Sequence, residues 1–452
     1  MKYRAITYLL LMYTGSMYAQ TPASKPTNSA AHKSAQPAGA KPGLSIDQVI
    51  NPVAVEQIEK TLSSDAMQGR ATFTPGIEKA ADYIEAQFRQ AGLKTLTGGA
   101  SYRQPFTMLA TKPISASATI DGQTLGADRI VVVSAATQVK VDDHSGFEKA
   151  YIKAGAAFGM EVLKNIKAKK NTLVLVDSSF EKSFPRLARF TRQQFKSDNT
   201  IVFLLTSADP ATWSITAEQE VTEQKLANVV GILPGKSKKD EYVIFSGHYD
   251  HLGIGKPDAK GDSIYNGAND DASGTTAVIM LARYFAKKKN NERTLVFATF
   301  TAEEIGEFGS EYFSNQFDPS KVMAMFNIEM IGTESKWGTN SAYITGYERT
   351  DMGKILEKNL TGSGFTFHPD PYPQENLFYR SDNATLAKQG VPAHTISTSK
   401  MDSEKYYHTA GDEIGTLDMK NMAAIIRSIA ISSKSIVDGK DTPSRVDTQQ
   451  LR

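Results

Sequence analysis

The sequence predicts an α/β protein: a doubly wound, mostly parallel sheet with helices on both faces, carrying an inserted smaller lobe. Three observations predict it. From Leu226 onward, short continuous apolar runs ("NVVGILPG", "EYVIFSG", "TLVFATFT", "AMFNIEMIG", "AYITG", "PAHTIST") alternate with helical stretches such as "SGTTAVIMLARYFAKKK". Strands buried on both faces between covering helices read this way. Acidic and imidazole residues recur just past those runs, where open α/β sheets place their ligands. Finally, residues 115–224 interrupt the pattern with a mixed texture of their own.

Taken in order, the chain opens with Lys2 and Arg4 ahead of the mostly apolar "AITYLLLMYTGSMYA". That stretch is too short and interrupted for a membrane span, and it reads as a signal peptide over 1–19, cut after Ala19. The expected location is therefore outside the cytoplasm, periplasmic or extracellular in a bacterium, with no membrane attachment once the leader is removed. Residues 20–44 are rich in Pro, Ala and Ser, bury too little apolar surface to offset the entropy of ordering, and read as a flexible linker. The N-terminal part of the main domain, 45–114, holds two helical patterns, "SIDQVINPVAVEQIEKTLSS" and "PGIEKAADYIEAQFRQAGL", the second opening at Pro75 and closing at Gly92. Within the lobe, "RIVVVS", "TLVLVDSS" and "IVFLLT" read as strands and "FEKAYIKAGAAFGMEVLKNIKAKK" as helical or loosely amphipathic. The core spans 225–438, and the polar tail 439–452 is expected to fray.

Composition narrows the chemistry. Lys plus Arg (51) nearly balances Asp plus Glu (49), and no long basic or acidic run offers a footprint for nucleic acid or an anionic membrane. Cysteine is absent, which removes disulfides, a thiol nucleophile and thiolate metal sites. Any metal must be held by His and carboxylates.

The residues just past the strand runs supply such donors: His248 and Asp250 in "SGHYD", Asp270 and Asp271 in "NGANDDASG", Glu303 and Glu304 in "TAEEIGEFG", Glu329 in "NIEM", and His408 in "YYHTAGD". Carboxylates converging on one sheet edge need a positive centre to offset burial. Two imidazoles and three carboxylates, one bridging, suit a pair of Zn²⁺ ions sharing a water, and Mn²⁺ or Co²⁺ stay open.

"SGHYDHLG", "NGANDDASG", "TAEEIGEFGS", "NIEMIG" and "YYHTAGDE", in this order, resemble the secreted dizinc aminopeptidases related to glutamate carboxypeptidases and glutaminyl cyclases. The resemblance implies a zinc exopeptidase-like fold, two Zn²⁺ per chain and peptide substrates. It makes His248 a ligand of one zinc, Asp270 the bridging carboxylate, Glu304 and His408 ligands of the second, Glu303 the general base, and Asp250 the group orienting His248. It also implies an unusual Asp270–Asp271 peptide, a Tyr407 hydroxyl donating to the oxyanion, and a protease-associated character for the lobe. Where the family commonly has Asp completing the first zinc's set, this chain has Glu329, which has one methylene more of reach. His251 has no ligand role in the family pattern and reads as a turn or cleft-wall residue; His32, His144, His368 and His394 are assigned no chemistry. An aminopeptidase is the favoured reading. A carboxypeptidase or dipeptidase with the same metal centre is the first rival. A glutaminyl cyclase ranks lower because "HYD" is retained, and a silent binding module ranks lower because no ligand is lost.

Overall fold

A computed structural model describes residues 45–188 and 192–451; the leader expected over 1–19 and the linker over 20–44 lie outside them. After a single helical turn at Ile46–Val49, two longer helices follow. In α1 (Pro52–Leu62) the Asn51 side chain accepts from the Ala54 amide and Pro52 sits at the first turn. Helix α2 (Pro75–Ala91) starts on Pro75 and stops at Gly92, which takes the left-handed conformation at φ 77°, as the sequence signals require.

The main sheet is built from β1 (Arg103–Ile120), β2 (Trp213–Leu233), β3 (Lys238–His248), β4 (Arg293–Phe300), β5 (Val322–Ile328), β6 (Ser341–Ile344), β7 (Thr366–Pro369) and β8 (Ala393–Ser397), in the spatial order β7-β6-β8-β5-β3-β4-β2-β1. Its centre, β4-β3-β5-β8, is parallel, whereas β2 runs antiparallel to β4 and β6 antiparallel to β8. Helix α3 (Ser273–Lys288) makes the crossover from β3 to β4, and α4 (Met419–Ser432) packs on the same face. The unbroken apolar runs follow from burial on both sides. Phe245 pairs in register with Phe297 and Phe326 and stacks on both rings, at centroid distances of 5.6 and 5.0 Å, beneath α3. Ile244, one residue earlier, faces the opposite core with Val296 and Met325. Truncating Phe245 to alanine should cost about 3–5 kcal/mol.

Two features depart from the sequence reading. The stretch from Phe147 is not helical at its start: Glu148–Ile152 is a strand, and the helix begins only at Phe158. That strand pairs in parallel with Thr172–Val176, which pairs with Ile201–Leu205, itself antiparallel to Ile130–Val133. This separate four-stranded sheet has its own core around Val174 and Phe203, so tertiary pairing overrides a weak helical pattern. The second is the tail, which docks instead of fraying. Arg445 donates to the carbonyls of Val322 (2.7 Å) and Pro319 (2.8 Å), and Val446 is buried with its amide on the Gly390 carbonyl. Among the described residues no helix is long and apolar enough to cross a membrane.

Candidate metal centre

The carboxyl edge of the parallel strands collects the candidate residues. His248 ends β3, Glu303 and Glu304 follow β4, Glu329 follows β5, and Asp270 lies in the turn 268–272 that leads into α3. His408 arrives from the loop after β8. The Asp270–Asp271 peptide is cis.

Three carboxylates fix the backbone that carries these side chains. Asp271 accepts from the amides of His248 (3.2 Å), Gly274 (3.0 Å) and Met330 (3.1 Å), joining three elements at one point. Asp412 accepts from the amides of Asn269 (2.8 Å) and Asp270 (3.0 Å). Asp250 accepts from the amides of Glu303 (3.1 Å) and Glu304 (3.3 Å). The Asp250 carboxylate lies 3.7 Å from His248 Nδ1, while its backbone carbonyl is nearer at 3.1 Å; the fork of two consecutive amides is what claims the carboxylate. Gly274 has to be glycine, since a Cβ would lie 2.0 Å from the Ile328 carbonyl. Beneath them, the buried Arg70 guanidinium donates to the carbonyls of Tyr249 (2.9 Å), Leu62 (2.7 Å), Asn266 (2.6 Å) and Gly267 (2.9 Å). Sequence reasoning missed Asp412, although it lies in the "YYHTAGDE" motif, and it missed Arg70, whose local context carries no signal.

Among the described residues, two groups bring one donor atom from each member within 4.8 Å of the others: His248, Asp270 and Glu329, and His251, Asp270 and Glu304. Asp270 is common to both. Its Oδ1 lies 3.2 Å from His248 Nε2 and its Oδ2 3.2 Å from His408 Nε2, which is also 3.1 Å from Glu304 Oε2. Glu303 belongs to neither group, with its Oε2 4.0 Å from His248 Nε2. Tyr407 stacks on His408 at 3.9 Å and, with Glu329, Met330, Tyr343, Arg380 and Met401, lines a recess. Arg380 itself is 3.5 Å from Glu375. Of the other histidines, His368 stacks on Trp337 and His394 is a buried core residue; His32 lies outside the described residues.

The electrostatics call for a cation. Burial pushes the carboxyl groups of Glu303 and Glu329 up, Glu329 to about 7, despite the nearby His248. Burial also acts on Asp270, but its contacts with His248 and His408 outweigh it and hold that carboxyl below the usual range. His408 is depressed by burial yet raised to about 10 by Asp270 and Glu304. His248 Nε2, Glu304 Oε1 and Glu329 Oε2 are buried without hydrogen-bond partners. Unpaired buried donors and acceptors of this kind are what a divalent ion satisfies. The additional methylene of Glu329 therefore still delivers an oxygen to the group with His248 and Asp270.

Comparison with known proteins agrees with this geometry. Residues 228–431 match the family described as peptidase family M28. The chain is 25% identical over 264 residues to a probable leucine aminopeptidase of Arthroderma otae, covering 52% of this chain and 66% of that protein. It is 35% identical over 117 residues to a probable zinc metalloprotease of Pyrenophora teres f. teres, covering 25% and 24%. The chain thus spans just under two thirds of the first relative and about a quarter of the second. Among solved structures, an aminopeptidase from Aneurinibacillus sp. strain AM-1 shares the fold with a TM-score of 0.52 at 18% identity, covering 90% of this chain and 99% of that one.

Proposed function

We propose, from the match of residues 228–431 to peptidase family M28, that the chain is a zinc-dependent exopeptidase that releases N-terminal residues from peptides. His248, Asp270 and Glu329 would hold one zinc ion, and Asp270, Glu304 and His408 a second, with Asp270 bridging. A bound pair supplies Lewis-acid polarisation of the scissile carbonyl and a water acidic enough to react near neutral pH.

The chain's own residues do the rest. Glu303, the carboxylate that joins neither donor group, is free to take the proton from water and return it to the leaving amine. Burial raises its affinity for that proton. Tyr407, beside His408, is the hydroxyl donor for the developing oxyanion, and Asp250 holds the amides of Glu303 and Glu304 so that one side chain binds and the other shuttles. The recess beside Glu329 supports a pocket for the substrate side chain. We assign the segment 115–224, with its separate sheet, to the inserted lobe, and the basic then apolar start of the chain supports export.

The observation that carries the reading is Asp270, whose two oxygens lie 3.2 Å from His248 Nε2 and 3.2 Å from His408 Nε2, with Glu304 3.1 Å from His408 and a spare glutamate alongside. Its test is metal analysis of the active protein combined with free-amine and N-blocked peptides. Two zinc ions per chain, loss of hydrolysis on chelation and release of N-terminal residues from free-amine peptides alone are expected. One ion or none in active protein overturns the two-zinc centre, and cleavage from the carboxyl end overturns the direction.

A further inference from the structure

His251 stands three residues beyond His248 and has no part in the ligand set proposed above. It is nonetheless buried, with 2% of its surface exposed, and both ring nitrogens lack a hydrogen-bond partner among the described residues. Its Nδ1 lies 2.7 Å from Glu304 Oε1 and 3.8 Å from Asp270 Oδ2. At 2.7 Å a well-aligned N–H would be hydrogen-bonded to that oxygen. Neither Nδ1 nor Glu304 Oε1 has a hydrogen-bond partner of good geometry, although the two atoms lie this close. Leaving two polar atoms desolvated and unmatched side by side is costly unless a third group lies off their line and satisfies both. The ring is also held in place. The His251 amide donates to the Arg70 carbonyl at 3.2 Å, and Gly267, at φ 54°, leaves room for the imidazole where a Cβ would meet its carbons at 2.5 Å. A turn residue in solvent needs none of this.

We propose that His251 is a direct ligand, through Nδ1, of the second ion, which then has the donor set Asp270, Glu304, His408 and His251. This rests on the metal-centre reading given above. It makes the two sites unequal. Four protein donors are the complement of a closed zinc site, whereas the three at the first site, His248, Asp270 and Glu329, leave a position for water or substrate. The second ion is accordingly the retained one and the first the exchangeable one.

Two measurements on the full chain test the assignment. In a zinc-loaded crystal located by anomalous scattering, Nδ1 of His251 should lie about 2.0–2.1 Å from the second ion. Zinc-free protein titrated against a competing chelator should bind two ions of distinct affinity. His251→Gln should then weaken the tighter site by about 100-fold or more while leaving the other unchanged. If that variant fails to fold, the distance in the unaltered protein decides. A zinc-to-Nδ1 separation beyond about 3 Å overturns ligation and leaves His251 a positioning residue for Glu304, even with both ions present. A protein that binds no second ion overturns both this inference and the two-zinc centre, so the two failures are distinguishable.

Discussion

Glu303 and Glu304 are sequence neighbours whose amides share one carboxylate, Asp250, yet their side chains end in different places. The chain leaves β4 through Ala302 at φ 61°, and from that turn Glu304 reaches His408 while Glu303 stays 4.0 Å from His248. Glu303→Gln preserves shape and removes the proton acceptor, so turnover should fall by about 10²–10⁴-fold or more with zinc content unchanged. Glu304→Gln should lower zinc content and turnover together. Assaying both quantities on both variants separates the roles; near-normal turnover in a zinc-replete Glu303→Gln enzyme would remove it as the base. The doublet stood out in the sequence because hydrolysis at a metal would need both a ligand and a free base. Which glutamate does which came from resemblance, and it is the turn at Ala302 that sends the two side chains apart. His251 was not legible in this way, since nothing in "HYDHLG" reveals that its ring turns inward.

At the scale of elements, the centre depends on loops that no single strand or helix positions. Arg70 comes from the turn before α2 and ties together the carbonyls of Tyr249, Asn266 and Gly267, which flank His248, His251 and Asp270. Arg70→Met keeps an apolar stem and leaves the buried carbonyls of Tyr249, Leu62 and Asn266 without their donor, while Gly267 keeps the Ala272 amide. The expected loss of unfolding free energy is at least about 3 kcal/mol, measurable by urea titration, together with weaker zinc binding. A variant as stable as the parent, with unchanged zinc affinity, would show that these loops hold themselves. The helix limits at Pro75 and Gly92 were readable because capping chemistry is local. The partners of Arg70 were not, lying as far as 197 residues away along the chain.

For the whole molecule, stability toward acid has an identifiable contributor in His394, buried on β8. Burial holds its pKa down to about 4, even though it contacts the Thr345 carbonyl. The neutral ring fits its site, with Nδ1 2.8 Å from that carbonyl and Nε2 2.8 Å from the Thr350 hydroxyl. Because the unfolded chain takes this proton near pH 6.5 and the folded chain only near 4, the contribution is present above about 6.5 and lost as pH falls through 4, amounting to about 3 kcal/mol. Unfolding curves between pH 7.5 and 4, at matched zinc saturation, should show that extra loss in the parent and not in His394→Gln; equal losses in both would exclude it. The sequence by itself determined the parallel core, because strands buried on both faces must be apolar throughout. It also determined the order of donors along one sheet edge, because carboxylates are tolerated there only around a positive centre. Tertiary structure alone decided the strand at Glu148–Ile152, the docked tail, the backbone anchors Asp412 and Arg70, and the inward turn of His251. Each of these depends on a partner distant in sequence, and local periodicity holds no record of what a side chain or backbone group will meet across the fold.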